Sequence, residues 1–258
     1  MPFTVSHAAA VLPLRRMKLV WSAFIVGSMA PDFPYIVGSV DYREIGHRFP
    51  GVLFFTIPAS LVALWLFHNF VKQPICLLLP AGVQVRLRRE LGYFPFVPAS
   101  RFARILLSIV LGIASHLVWD SFTHPFTWAF YHVPGLDGWV HLPILGAMPT
   151  HAALQYVSSL LGLIALAIWV LLWYRRTSPA TPLLERESPR SRFGLAIAMF
   201  AVAGTAGLVR AFILIGRPAT GHNADKFMLV VGVTAMALAF WELVLYCLLV
   251  ATYQVWML

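Results

Sequence analysis

Charged residues are scarce in this sequence: they make up 11% of its 258 residues, whereas hydrophobic residues make up 60%. A soluble domain has about a quarter charged residues, so the composition excludes an ordinary soluble domain. The apolar residues are gathered in long runs, and a membrane-spanning helix needs about 20 of them in succession. These runs indicate a polytopic integral membrane protein.

Cysteine is almost absent as well, with only Cys76 and Cys247 in the chain. A single distant pair cannot form a disulfide framework, and its spacing matches no cysteine metal site. Any metal chemistry must therefore come from histidine and carboxylate side chains.

Five apolar runs are long enough to span a membrane: residues 52–71, 104–122, 153–174, 193–215 and 228–250. Backbone in hydrocarbon must satisfy its own hydrogen bonds, which favours helices. We therefore predict an all-α fold, a polytopic membrane helical bundle of about five full spans. Before them, residues 6–12 and 19–30 predict a helical hairpin with a basic turn. The alternative, one straight helix, would place His7 and Asp32 more than about 30 Å apart.

Basic residues are unevenly distributed over the connections between these spans. Residues 15–18, 72–104 and 175–192 hold 14 of the 19 Lys and Arg residues. By the positive-inside rule these connections face the cytoplasm. We therefore expect a multi-pass protein of the cytoplasmic (inner) membrane with a cytoplasmic C-terminus. The net charge of +9 follows from this topology, so no nucleic-acid partner is expected.

Residues 175–192, rich in proline, serine and charge, predict a cytoplasmic linker. The linker divides the chain into a membrane module at 1–174, which holds nearly all the His and Asp residues, and a two-helix membrane module at 193–258. Residues 72–104 combine basic and aromatic side chains, which is typical either of an interfacial segment or of an ordinary cytoplasmic loop.

The stretch "ASHLVWDSFTHPF", residues 114–126, places ionisable side chains at the end of an apolar run. His116, Asp120 and His124 are four residues apart, so on a continuous helix they share one face. Imidazole and carboxylate groups are ligands for Zn²⁺ and similar divalent ions. The alternative is a helix end that emerges into water, with Asp120 and His124 simply solvated.

Two other segments end on the same predicted extracytoplasmic side. "GSMAPDFPY" places Asp32 after the 19–30 run, and "GHRFPG" places His47 before the 52–71 run. Taken singly, Asp32 could be a turn former and His47 a surface residue. Because Asp32 and His47 are expected on the same side of the membrane as His116, Asp120 and His124, we predict a metal centre there. It would hold one or more divalent ions, most simply Zn²⁺.

The outward connection 123–152 contains no Lys or Arg, yet it is rich in histidine and in aromatic residues. The aromatic residues are typical of a membrane-interface belt. The roles of His132, His141 and His151 stay open. Gln155, Tyr156, Ser158 and Ser159 begin the next span and are candidates either for hydrogen bonds to ligating histidines or for helix packing. Within the last two spans, Arg210 and Glu242 could form an ion pair, although their expected depths differ.

The segments "MPFTVSHAAAVLPL", "GSMAPDFPY", "HRFPG" and "SHLVWDSFTHP" together resemble the DUF4184 family of bacterial membrane proteins, over most of residues 1–175. More distantly, their order is similar to the membrane-bound metal-dependent hydrolases of the YdjM type. It is also similar to the zinc-dependent phospholipase C and P1-type nuclease superfamily, in which such residues hold divalent metals that cleave phosphoester bonds. The resemblance implies ligand roles for His7, Asp32, His47, His116 and Asp120, with His124 a further candidate.

The leading hypothesis is a membrane-embedded metal-dependent hydrolase that acts on a lipid phosphoester at the extracytoplasmic side. Asp120 and His116 are its candidate catalytic residues, and membrane lipids or a lipid-linked substrate are its expected partners. The alternative is a non-catalytic transporter or assembly subunit that uses the same side chains for a structural metal or a polar cluster. Substrate, metal count and oligomeric state are open at this level.

Overall fold

The computed structural model describes residues 4–14, 16–37, 43–142, 146–180, 189–217 and 221–255. Five helices in this described part are long and apolar enough to cross a membrane. These are Phe49–Leu78, Ala99–Thr123, Thr150–Arg176, Phe193–Ile215 and Lys226–Thr252. The predicted all-α membrane bundle is therefore confirmed, with one small two-stranded sheet as the exception among the described residues.

The N-terminal residues form the expected hairpin. A 3-10 helix, Thr4–Ala10, continues into α1, Val11–Leu14. After the basic turn, α2, Trp21–Met29, continues into a second 3-10 helix, Ala30–Val37. The Thr4 hydroxyl donates to Asp32 Oδ2 over 2.7 Å, so the two arms end at one level. A single straight helix is thereby excluded.

The first span is interrupted by two wide turns. After α3, Arg43–His47, it consists of α4, Phe49–Gly51, a π turn at Val52–Thr56, α5, Ile57–Leu66, a π turn at Phe67–Val71 and α6, Lys72–Leu78. Each π turn closes shortly before a proline, Pro58 or Pro74, which has no N–H for a regular helical bond. The helix also extends to Leu78, so the predicted end at residue 71 was wrong.

The remaining elements follow in chain order. They are α7, Ala81–Leu87; a 3-10 helix, Arg88–Leu91; α8, Ala99–Thr123; α9, Trp128–His132; β1, Trp139–Leu142; β2, Gly146–Pro149; α10, Thr150–Arg176; α11, Pro189–Ile215; and α12, Gly221–Val255. Strands β1 and β2 are antiparallel, with Trp139 opposite Pro149. The sequence analysis did not predict this hairpin within the outward connection.

Helices α2 and α8 pack so closely that glycine is required at their contact. A Cβ atom on Gly112 would lie 2.3 Å from the carbonyl oxygen of Phe24, and one on Gly27 would lie 2.4 Å from that of Ile109. Beside this contact, the apolar core consists of Ala23, Leu64, Ile105, Ile109 and Ile113. The close packing fixes the end of α2 against the last turns of α8.

The last two helices, α11 and α12, pack mainly on each other. Helix α12 also contacts the Ala30–Val37 and Phe67–Val71 segments. Of the predicted linker, residues 175–192, residues 181–188 lie outside the described residues, α10 continues to Arg176 and α11 begins at Pro189. The division into two modules stays a prediction. Arg210 Nη1 donates to Thr234 Oγ1 over 3.1 Å, whereas Glu242 Oε2 is buried with no hydrogen-bond partner in the described part of the chain.

Candidate metal centre

Six histidine and aspartate side chains converge at one end of the bundle. They come from the first 3-10 helix (His7), the second 3-10 helix (Asp32), α3 (His47) and the end of α8 (His116, Asp120 and His124). These are the six residues that the sequence analysis named as candidate ligands. The hairpin and the close packing of α2 on α8 bring them together from separate parts of the chain.

His116 is the most deeply buried of the six, with 0% of its surface exposed. Its Nδ1 lies 2.8 Å from the carbonyl oxygen of Ser28, and a carbonyl can only accept a hydrogen bond. Nδ1 therefore carries a proton, which leaves Nε2 as the nitrogen that could bind a metal. This arrangement is usual for a metal-ligating histidine, whose second nitrogen is held by a backbone carbonyl or a carboxylate.

Three ligand atoms form a nearly equilateral triangle. His47 Nε2 lies 3.3 Å from His116 Nε2 and 3.3 Å from Asp120 Oδ2, and His116 Nε2 lies 3.5 Å from Asp120 Oδ2. Ligands at 2.0–2.2 Å from a tetrahedral zinc ion lie about 3.3–3.6 Å from one another. The triangle therefore has the dimensions of one face of a zinc coordination tetrahedron.

Asp32 closes this group from the hairpin side. Its Oδ1 lies 3.7 Å from His116 Nε2 and 3.8 Å from His47 Nε2. The residue is 1% exposed, and Oδ1 has no hydrogen-bond partner in the described structure, although Thr4 satisfies Oδ2. Burial raises the pKa of Asp32, because a carboxylate loses its hydration there. A divalent cation would compensate both the charge and the unpaired oxygen, so this residue fits a metal.

Asp120 presents its two oxygens to different histidines. Oδ1 lies 3.6 Å from His7 Nε2, whereas Oδ2 faces His47 and His116. The His7 ring stacks on His116 with 4.0 Å between centroids. Burial, and then the proximity of His116, lower the pKa of His7 to about 3, so it is neutral at physiological pH. Neutral imidazole is the form that binds metals, so His7 could hold a metal ion together with Asp32 and His116.

His124 lies at the edge of the group. It is the first residue after α8, with extended backbone, and its Nδ1 is 3.5 Å from Asp120 Oδ2. Its Nε2 is 3.3 Å from Gln155 Nε2, so one of the four candidates from α10 contacts a predicted ligand. Ser158 instead accepts a hydrogen bond from Trp119 Nε1, 3.0 Å away, and supports the ring beside His7.

With this geometry, the family can be assigned. The chain belongs to the DUF4184 family. The family model, described as "Domain of unknown function (DUF4184)", matches residues 1–248. No curated protein and no solved structure matches the chain. The match confirms the expected family, and it includes α11 and most of α12, which contributed little to the sequence resemblance.

Three further histidines of this DUF4184 chain, His132, His141 and His151, lie outside the cluster. His132 is exposed and stacks on Trp128, with 4.7 Å between centroids. His141 is exposed on β1, and His151 makes an edge contact with Phe130. These three residues, which the sequence analysis left unassigned, are not among the side chains that form the metal groups in the described structure.

Two groups that support the centre were missed by the sequence analysis. The Ser28 carbonyl is a backbone atom, so no pattern of side chains could identify it. Thr4 carries a weak signal, because it lies three residues before His7, one turn of a 3-10 helix. Its hydroxyl therefore faces the same side of the hairpin as the His7 ring.

Proposed function

We propose that this chain is a membrane-embedded, metal-dependent hydrolase that cleaves a lipid phosphoester. The observation that carries the proposal is the convergence of six ligand-type side chains, in which Asp120 Oδ1 lies 3.6 Å from His7 Nε2 and Asp120 Oδ2 lies 3.3 Å from His47 Nε2. A closed structural zinc site uses four protein ligands. The six side chains exceed that number, which favours a centre with more than one ion.

A metal held by these residues would supply a water of lowered pKa and would polarise a phosphoryl oxygen. In the reaction, the water oxygen bonds to phosphorus, the phosphorus–oxygen bond to the alcohol breaks, and a water proton leaves with the alcohol. Asp120 and His116 hold the centre from α8, and Asp32 and His7 hold it from the hairpin. His47 and His124, whose side chains are 13% and 11% exposed, lie where a substrate would approach.

A lipid is the proposed substrate class because of the surroundings of the centre. The connection after α8 carries four exposed aromatic residues, Phe126, Trp128, Tyr131 and Trp139. Amphipathic aromatic rings concentrate at membrane interfaces. A phosphoester presented at the bilayer surface would therefore lie level with the cluster. The order of ligand-type residues along the chain, which we interpret as resembling that of zinc-dependent phospholipase C, is consistent with the same chemistry, and the positive-inside rule favours an extracytoplasmic position for the centre.

Metal analysis of the full chain, purified in detergent without chelator, tests the first half of the proposal. We expect about two ions per chain in the wild type and fewer in H116Q and D120N. His141→Gln is the matched control, because it removes an exposed histidine outside the cluster. A wild type without stoichiometric metal would overturn the proposal.

Turnover tests the second half. Phospholipid in mixed micelles is supplied, and release of the lipid alcohol is measured for the wild type, D120N and H141Q. We expect hydrolysis by the wild type and H141Q and none by D120N. If phosphoester hydrolysis is equal in D120N and the wild type, the reaction belongs to another site or to a contaminant.

A structural metal is the second candidate, and one observation favours it. Asp32, His47, His116 and Asp120 alone could complete a closed tetrahedral set, which would leave no position for water. That reading predicts one ion per chain, no turnover and loss of folding in D120N. Ion transport is less consistent with the fold, because the six side chains lie at one end of the bundle rather than through its depth.

A further inference from the structure

A cavity of about 620 Å³ lies at the other end of the helices from the histidine–aspartate cluster. It is bounded by the start of α2, the π turn at Phe67–Val71 and the segment before α8. The first span begins at Phe49, two residues after His47, and His68 lies 19 positions further along it, which corresponds to about 28 Å of helix. The cavity is therefore separate from the candidate metal centre.

Positive charge is concentrated around this cavity. Lys72, Arg89 and Arg101 line it, and Glu90 is the one acidic side chain among its described lining residues. Lys72 is only 9% exposed, and its ammonium group donates to the backbone carbonyls of Glu90 and Gly92. A lysine held in this way is fixed beside the cavity, and its charge together with those of Arg89 and Arg101 exceeds the single negative charge of Glu90.

Two further groups are fixed in the same wall. Arg101 donates from Nε to the carbonyl of Pro95 over 2.7 Å, and its guanidinium lies 5.0 Å above the Phe94 ring. The His68 ring also stacks on Phe94, with 3.7 Å between the ring centroids. Its Nε2 is 2.9 Å from Ser22 Oγ, whereas its Nδ1 is buried with no hydrogen-bond partner in the described chain. The wall thus holds an unpaired buried polar atom beside fixed cations.

Most of the remaining lining is apolar and includes Trp21, Ile25, Ile75 and Leu79. An apolar wall joined to a fixed cationic wall matches an amphiphile with an anionic head. The π turn that carries His68 is a further sign of a site, because such turns are frequent at functional positions. Anionic phospholipids supply this chemistry at the membrane surface that attracts basic segments.

We propose that this cavity binds one anionic phospholipid, with its phosphate held by Arg89, Arg101 and Lys72 and its acyl chains against Ile25 and Leu79. Guanidinium groups bind phosphate oxygens through charge-assisted hydrogen bonds, and Arg89, which is exposed, is placed to reach the headgroup from the rim. The proposal is independent of hydrolase activity, because the cavity and the candidate metal centre share no residue.

Native mass spectrometry of the detergent-purified full chain tests this site. Phosphatidylglycerol and phosphatidylcholine with identical acyl chains are offered in competition, and bound lipid is counted. We expect one tightly bound phosphatidylglycerol, and about tenfold weaker binding in each of R89Q and R101Q, since a hydrogen bond to a charged group is worth about 1.5–3 kcal/mol. Arg104→Gln is the matched control, with the same loss of charge one turn further along α8 and no contact with the cavity.

Three results would overturn the proposal. Equal retention of phosphatidylcholine would show that charge does not select the ligand. Equal losses in R101Q and R104Q would show a general effect of surface charge. Full displacement of the lipid by inorganic phosphate would show that the cavity recognises the free anion instead. Because Arg89 is exposed, R89Q tests the site even if R101Q fails to fold.

Discussion

Replacement of Asp32 by asparagine should change the stability of the protein in opposite directions with and without metal. Asn is nearly isosteric and keeps an oxygen that can accept the hydrogen bond from Thr4. In metal-free protein, Asp32 is a buried carboxylate with one unpaired oxygen, so removal of its charge should leave stability unchanged or raise it. In metal-loaded protein the same change removes a ligand.

The size of the effect follows from binding linkage. At a free metal concentration about 100-fold above Kd, binding stabilises the folded state by about 2.7 kcal/mol. For a chain of this length, 1 kcal/mol corresponds to about 2–4 °C in Tm, so the bound metal should contribute roughly 5–10 °C. We expect D32N to lose most of this increment.

Thermal unfolding in detergent, followed by circular dichroism with added zinc and then with chelator, measures both directions. Wild type should melt several degrees above D32N in zinc, and this order should vanish or reverse in chelator. His141→Gln should follow the wild type in both conditions. An equal Tm difference between D32N and the wild type in zinc and in chelator would refute the reasoning that Asp32 faces a cation.

Three further predictions concern packing, pH and topology. Gly112→Ala should lower Tm and metal content, because its Cβ would meet the α2 backbone at 2.3 Å, whereas Gly204→Ala, with no atom within 4 Å, should be neutral or stabilising in thermal unfolding. Burial lowers the pKa of His7 to about 3 from 6.5, so the unfolded chain binds more protons between these values. Metal-free protein should then lose about 1.4 kcal/mol per pH unit below 6.5 from this residue, and His7→Asn should flatten the measured slope of Tm against pH. A cysteine at Trp139 should react with an impermeant maleimide in intact cells, and one at Arg176 only after permeabilisation; the reverse pattern would invert the proposed orientation.

The candidate centre could largely be predicted because its two main signals are independent of detailed packing. The spacing of His116 and Asp120 needs only a continuous helix, and α8 provides it as far as Thr123. The placement of Asp32 and His47 at the same end follows from the alternation of basic connections. Spacing alone, however, cannot give the distances between segments, which depend on the close contact of α2 with α8 at Gly112.

Other features depend on tertiary contacts that leave little trace in the sequence. The β1–β2 hairpin is short, and its residues share their aromatic character with the interfacial connection around them. The basic cavity joins residues from the start of α2, the end of the first span and the segment near Phe94. The sequence analysis interpreted the segment near Phe94 as an interfacial segment or an ordinary loop. The pattern of basic and aromatic residues could not show that Trp21 and His68 lie beside this segment.

The two π turns of the first span have a consequence for how its ends are aligned. Each turn accommodates about one residue more than a regular α-helical turn, and one residue corresponds to about 100° of rotation. Lys72 is therefore rotated by roughly 200° about the axis, relative to Phe49, from where an uninterrupted helix would place it. The number of residues between the two ends of the span, as well as their type, therefore decides which way each end faces. Deletion of a single residue within 52–56 would convert this π turn into a regular helical turn and leave both ends aligned, whereas deletion of one residue within Ile57–Leu66 would turn Lys72 by about 100° away from the cavity.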